Sequence, residues 1–138
     1  MARYLSRADL SRIAGRYIEQ YYTRFGISKD APEPIDPERL ASSVLGLNVK
    51  MLPLCSDSSV LGLTVFQKCG FTVTLGDGTK LVEVFMPKDV VIDSALAADS
   101  CTGCRNFTIA HEAAHHILAD LFPNDYGKAV KCRGHIAY

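Results

Sequence analysis

Three residues able to ligate a metal or move a proton fall within five positions: His111-Glu112-Ala113-Ala114-His115, which reads His-Glu-x-x-His. The spacing has a mechanism. Residues four apart on a helix lie one above the other on one face. Two imidazoles so placed can share one tetrahedral Zn²⁺ at about 2.0–2.1 Å each. Glu112 is one step round from His111. A glutamate there can take a proton from water that the ion activates and pass it to the leaving amine of a peptide bond. Histidines at this spacing also occur as ordinary packing or surface residues. Two features favour the metal. The surrounding helix is apolar, where a half-buried His or Glu without partners is costly. Both intervening residues are alanine, small enough to admit a neighbouring sheet or a substrate.

These residues need a helix to carry them and a core behind it. The pattern predicts that helix over about Phe107 to Phe122, closed by Pro123 and Asn124, after a loop from Ser94 to Asn106. Residues 48–93 are β-rich, with runs at Val49–Leu52, Val60–Phe66, Phe71–Leu75, Leu81–Phe85 and Val90–Ile92. Turn residues separate them, among them Cys55–Ser59, Lys68–Gly70 and the hairpin signal Gly76-Asp77-Gly78. At the start, Leu10, Ile13, Ala14, Tyr17, Ile18, Tyr21 and Phe25 make one apolar stripe on a helix over 4–25, which Gly26 stops. A proline-containing linker follows. Asp36 then reads as the N-cap of a short helix from Pro37 to Leu45, ended by Gly46. Residues 125–138 are too short a stretch to assign. The expected class is α+β in a single domain over 1–138: two helices, a small mainly antiparallel sheet, then the His-Glu-x-x-His helix.

Composition narrows the function classes. The chain has 138 residues, 48% of them hydrophobic and 22% charged, which is ordinary for a globular domain and excludes global disorder. Lys+Arg and Asp+Glu are both 15, so there is no basic excess with which to neutralise phosphates. Direct nucleic-acid binding is therefore not expected. No apolar run approaches the roughly 20 residues that span a bilayer, so no membrane partner is expected. The charged start lacks the apolar stretch of an export signal, which predicts a cytoplasmic protein.

The five cysteines are few and odd in number, and read as thiols or metal ligands rather than a disulfide framework. Cys101-x-x-Cys104 and Cys132-x-x-His135 form a rival metal site, a structural Cys₃His zinc centre, if the two pairs meet.

The segment Phe107-Thr108-Ile109-Ala110-His111-Glu112-Ala113-Ala114-His115 resembles the active-site helix of the ImmA/IrrE family of zinc metallopeptidases, with Arg105 where that family usually has basic residues. Ile35–Ala41 followed by Leu45–Val49 is similar to its second helix and first strand, so the likeness spans about residues 32–122. It implies a zincin-like domain with His111 and His115 as Zn²⁺ ligands and Glu112 as the catalytic glutamate. It also implies a protein substrate, a helix-turn-helix transcriptional repressor, since members often act beside one and some cleave it. The family's third ligand, usually a glutamate in a later helix, has no counterpart, because no Glu follows Glu112. Asp120 and His116 lie off the ligand face, and Asp125 or His135 returns to it only if the tail folds back. The simplest expectation is that the chain stops before the third-ligand helix. The alternatives kept open are a zincin-like domain that binds a regulator without cleaving it, and the Cys₃His structural module.

Overall fold

A computed structural model describes residues 4–54, 60–75, 77–126, 130–132 and 134–137, with the backbone alone for 73, 74, 130–132 and 134–137. Helix α1 spans Arg7–Phe25. Ser6 caps it through a reciprocal pair: the Asp9 amide donates to the Ser6 hydroxyl at 3.1 Å, and the Ser6 amide donates to the Asp9 carboxylate at 3.0 Å. Gly26, at φ 64°, ends it in the left-handed region that glycine tolerates. Of the expected apolar stripe, only Tyr21 is buried, while Leu10 and Ile18 are exposed. The reason is position: α1 rests at the edge of the fold against the short helical segment that follows.

That segment begins as α2, Pro37–Arg39, capped by Asp36, which accepts from the Glu38 amide at 3.1 Å. It widens into a π turn over Leu40–Val44, closed by the Leu45 amide on the Leu40 carbonyl at 3.1 Å. The widening brings Ala41 to complete burial.

Among the described residues seven strands follow: β1 Asn48–Leu52, β2 Val60–Thr64, β3 Cys69–Thr74, β4 Lys80–Phe85, β5 Asp89–Asp93, β6 Val130–Cys132 and β7 Gly134–Ala137. Five form one sheet in the order β1-β5-β2-β7-β6, and β3 and β4 pair separately as an antiparallel hairpin. The main sheet is mixed, which corrects the expected mainly antiparallel arrangement. β1 and β2 run parallel to β5 and β7 respectively, whereas β2–β5 and β6–β7 are antiparallel. The cause is order: β5 inserts between β1 and β2 after the hairpin, so chain neighbours are not sheet neighbours. β5, flanked on both sides by β1 and β2, is buried along its whole length, as its unbroken Val90-Val91-Ile92 run requires.

The two faces of the sheet carry two cores. Val90 and Ile92 join Ala41, Leu47, Leu96, Ile109 and Ala113 on one face. Val91 and Leu63 join Leu54, Val65 and Phe85 on the other. The first face is covered by α3, which spans Thr102–Leu121 and starts five residues earlier than Phe107. The expected loop from Ser94 to Asn106 is largely helical: two 3₁₀ turns, Ser94–Ala97 and Asp99–Cys101, lead straight into α3. α3 ends at Leu121, just before Pro123 as expected, and Pro123 opens a further turn, α4 (Pro123–Tyr126). The architecture is thus mixed α+β with a small sheet. Among the described residues, no helix is long and apolar enough to cross a membrane.

Candidate metal centre

α3 lies along the sheet, and each of its stripes meets a different strand. At about 100° per residue, Ile109 and Ala113 fall to one side of Thr108 and Glu112, and His111 and His115 to the other. Ile109 and Ala113 pack with Val90 and Ile92 of β5. Thr108 and Glu112 rest on β2, at Gly62 and Thr64. His111 and His115 continue the same sweep, both half-buried.

Contact with β2 is unusually close. A Cβ at Gly62 would lie 2.9 Å from Thr108 Cγ2, 3.0 Å from Glu112 Oε1 and 3.1 Å from Glu112 Cγ. Only a residue without a side chain admits the helix at this distance. The approach seals Glu112 completely from solvent. One of its carboxylate oxygens, Oε2, is hydrogen-bonded to the buried Thr64 hydroxyl, which also sits 3.2 Å from the Glu112 carbonyl oxygen. Oε1 is buried without a hydrogen-bond partner among the described residues. Burial raises the carboxyl to about 7, against a smaller lowering effect of the Thr64 hydroxyl. When the carboxyl is neutral it can donate from Oε2 to Thr64, leaving the threonine proton for the Glu112 carbonyl. When it is ionised, Thr64 donates to the carboxylate instead.

The two expected ligands do come together. The His111 and His115 rings are 5.0 Å apart between centroids and inclined at 75°. Two imidazoles on one tetrahedral ion, each at about 2.0–2.1 Å, have ring centres roughly 5 Å apart. The spacing of the pair therefore fits a shared zinc. Phe107 lies one turn before, its ring centre 6.1 Å from that of His111.

No family model, curated protein or solved structure matches the chain. The site is accordingly read from its own chemistry.

His116 belongs to the core instead. It is buried, donates from Nε2 to the Asp89 carbonyl oxygen at 3.3 Å and packs edge-on against Phe66. Burial holds its imidazole below the ordinary value. Asp120 is exposed. No group of three or more His, Cys, Asp or Glu side chains poised for a metal occurs among the described residues. In the rival cysteine set, Cys101 packs against the α3-side core while Cys104 is exposed. The side chains of Cys132 and His135 lie outside the described residues, as do Cys55 and its turn.

Three residues beyond the motif hold it in place. Arg105 donates from Nη1 to the carbonyls of Leu96 at 2.9 Å and Ala97 at 3.1 Å, tying the 3₁₀ turn to the first part of α3. Gly62 and Thr64 set the depth and the partner of Glu112. The signal for Gly62 was present: an isolated glycine inside the β-run Val60-Leu61-Gly62-Leu63-Thr64 marks a close backbone approach. Nothing local marks Thr64, which reads as an ordinary β-branched strand residue.

Proposed function

We propose that the chain is a zinc-dependent endopeptidase of the ImmA/IrrE type, built on a zincin-like domain and acting on a protein substrate, a helix-turn-helix repressor. The observation that carries this reading is the 5.0 Å separation of the His111 and His115 rings, one turn apart on a helix seated on a sheet. These two histidines would hold the ion. Zinc bound there supplies a Lewis acid for the scissile carbonyl and for water.

The rest is the work of this chain's own side chains. Glu112 supplies the proton acceptor. Burial raises its carboxyl in the metal-free chain, and a cation held by the neighbouring histidines would favour the ionised form that accepts a proton. Thr64 anchors Oε2 and fixes the orientation of the carboxyl, with Oε1 packed over Gly62. Gly62 keeps the helix low on the sheet and excludes water from the carboxyl.

A second reading draws on a specific observation. Glu112 is fully buried, and the described residues offer no third donor. A domain that docks a regulator without cutting it accommodates both facts.

Metal content and cleavage separate the readings. The purified chain should take up one zinc, and a His111→Ala/His115→Ala double variant none. Glu112→Gln should keep the zinc and lose at least about 100-fold in cleavage of a degenerate peptide library followed by mass spectrometry. Zinc retained in the double variant sinks the site. Zinc binding with no cleavage by wild type moves the protein to the second reading.

A further inference from the structure

The Cys101-x-x-Cys104 motif has no part in the proposed peptidase site, and both of its thiols are free. They sit on either side of one junction. Cys101 ends the 3₁₀ turn Asp99–Cys101 and is the N-cap of α3, and Cys104 lies in the first turn of that helix. Thr102 and Gly103 between them are helical. Two helical residues set the flanking Cα atoms about 5 Å apart, given the radius and rise of the helix. That falls within the roughly 4.4–6.8 Å that a disulfide spans. In a regular helix the Cβ atoms of such a pair would still stand about 5–6 Å apart, too far for an S–S bond. Cys101 departs from the helix at the torsion that matters. Its ψ is 9°, against about −42° in a helix. The rotation carries its Cβ up the axis toward Cys104.

The arrangement is held without any S–S bond. Arg105 donates to the carbonyls of Leu96 and Ala97 before the junction, and the Cys101 amide donates to the Ala98 carbonyl at 2.9 Å. The turn that carries Cys101 is thus tied to the helix that carries Cys104, so closing the bond needs little further ordering. The two thiols differ in access. Cys104 is exposed, next to Gly103, whose ideal Cβ has nothing within 4 Å. Cys101 is half-buried against the core under α3. An incoming reagent meets Cys104 first. Cys69 supplies the contrast. Burial, and then the Asp89 carboxylate, raise its thiol, which leaves less thiolate to react.

We propose that Cys101 and Cys104 are a redox pair that closes and reopens by exchange with a small disulfide such as oxidised glutathione. The Cys104 thiolate attacks the disulfide RSSR, expels one thiol RSH and becomes Cys104–S–SR. The Cys101 thiolate then attacks the Cys104 sulfur, expels the second RSH and closes the Cys101–Cys104 bond. The two cysteines give up two electrons and two protons, and the small disulfide takes them up as two thiols. The closed bond staples the start of the helix that bears His111 and Glu112, whether or not zinc binds there.

The test uses the full chain, reduced, stripped of metal and equilibrated with mixtures of reduced and oxidised glutathione. Acid quenching, alkylation of the remaining thiols and tryptic mass mapping read the result, because the peptide 89–105 contains both cysteines and no third. In wild type this peptide should lose both thiols together and become lighter by two hydrogens, while Cys69 stays open to alkylation. Excess reduced glutathione should reverse the change. Cys101→Ser should stop at a glutathione mixed disulfide on Cys104, formed at the wild-type rate. Cys104→Ser, at an exposed position, should slow the first attack by at least about 10-fold. A lasting mixed disulfide on Cys104 in wild type overturns the pair, since Cys101 then does not reach it. A bridge from either residue to Cys55 or Cys132 overturns it too. So does a protein that, as purified, resists alkylation at both positions until a chelator is added, which makes the two cysteines zinc ligands.

Discussion

The two flanks of α3 lie on one sheet and differ in what they bury. On the β5 flank, Ile109 and Ala113 meet Val90, Ile92 and Leu96, all apolar and nearly or fully inaccessible. On the β2 flank, Thr108 and Glu112 press against a glycine, and a carboxyl is sealed in with one oxygen lacking a hydrogen-bond partner among the described residues. The first flank gains free energy from every atom it hides. The second forgoes it, because burying an acid without full hydrogen bonding is costly. The difference marks which flank holds the molecule together and which holds a buried carboxyl at a cost in stability.

Ile109→Ala tests the β5 flank and should have the largest effect. The site is 2% exposed and walled by close-packed neighbours that have little room to collapse. About 3–4 kcal/mol of stability should be lost, seen as a lower urea midpoint with an unchanged slope. A loss below about 1 kcal/mol would mean that this flank is not the anchor, and the contrast fails.

The β2 flank should show itself through pH. Glu112 has a folded value of about 7 against an ordinary 4.5. Between these values the unfolded chain loses the proton and the folded chain keeps it. Stability therefore falls as pH rises through this window, by about 3 kcal/mol in all for the metal-free chain. His116 acts in the opposite sense. Its folded value is depressed below 6.5, so the unfolded chain binds the extra proton and stability rises with pH up to that point. The difference between wild type and Glu112→Gln isolates the carboxyl. The variant should be more stable than wild type at pH 8 and lose its relative advantage by pH 4. Parallel stability curves for the two proteins would show that Glu112 ionises as freely in the folded chain as in the unfolded one.

Gly62→Ala sharpens the comparison at the strand itself. The added Cβ must displace Thr108 or Glu112, both buried, from contacts of 2.9–3.1 Å. A cost of about 2 kcal/mol follows, together with a shift of the Glu112 titration toward its ordinary value as the helix lifts and water enters. Gly15, with nothing within 4 Å of its ideal Cβ, is the control. Gly15→Ala should be neutral or slightly stabilising.

What the residues reveal in advance follows the same division. The His-Glu-x-x-His spacing is local, so the helix and the pairing of His111 with His115 could be read from five residues. The start of α3 could not. Gly103, Cys104, Arg105 and Asn106 interrupt the apolar period, and the helix persists through them because Arg105 anchors it to the preceding turn. Strand order was equally hidden. β5 sits between β1 and β2 only because of pairings made across some 30–40 residues, which no local pattern encodes. The tail strands are three and four residues long, too short to announce themselves without the edge of β2 beside them. Gly62 carried a signal without an address. The partner of Glu112 carried neither.

Thr64→Val is the smallest change and the most direct on the reactive group, since it replaces the hydroxyl with a methyl of similar size. In the acid range Glu112 is neutral, and the bonds from its carboxyl to Thr64 and from Thr64 to its carbonyl are both lost, at about 1 kcal/mol each. At alkaline pH both carboxylate oxygens are then buried without partners, and the cost should grow. The hydroxyl is the effect that lowers the Glu112 value, so its removal moves that value further above 7. The pH window over which stability falls should extend upward, and the acid limb of any peptidase activity should move the same way. Thr64→Ser should restore both. If Thr64→Val leaves the window where it is, the hydroxyl is not what holds the carboxyl. The β2 flank would then be a tight contact around Gly62 and nothing more.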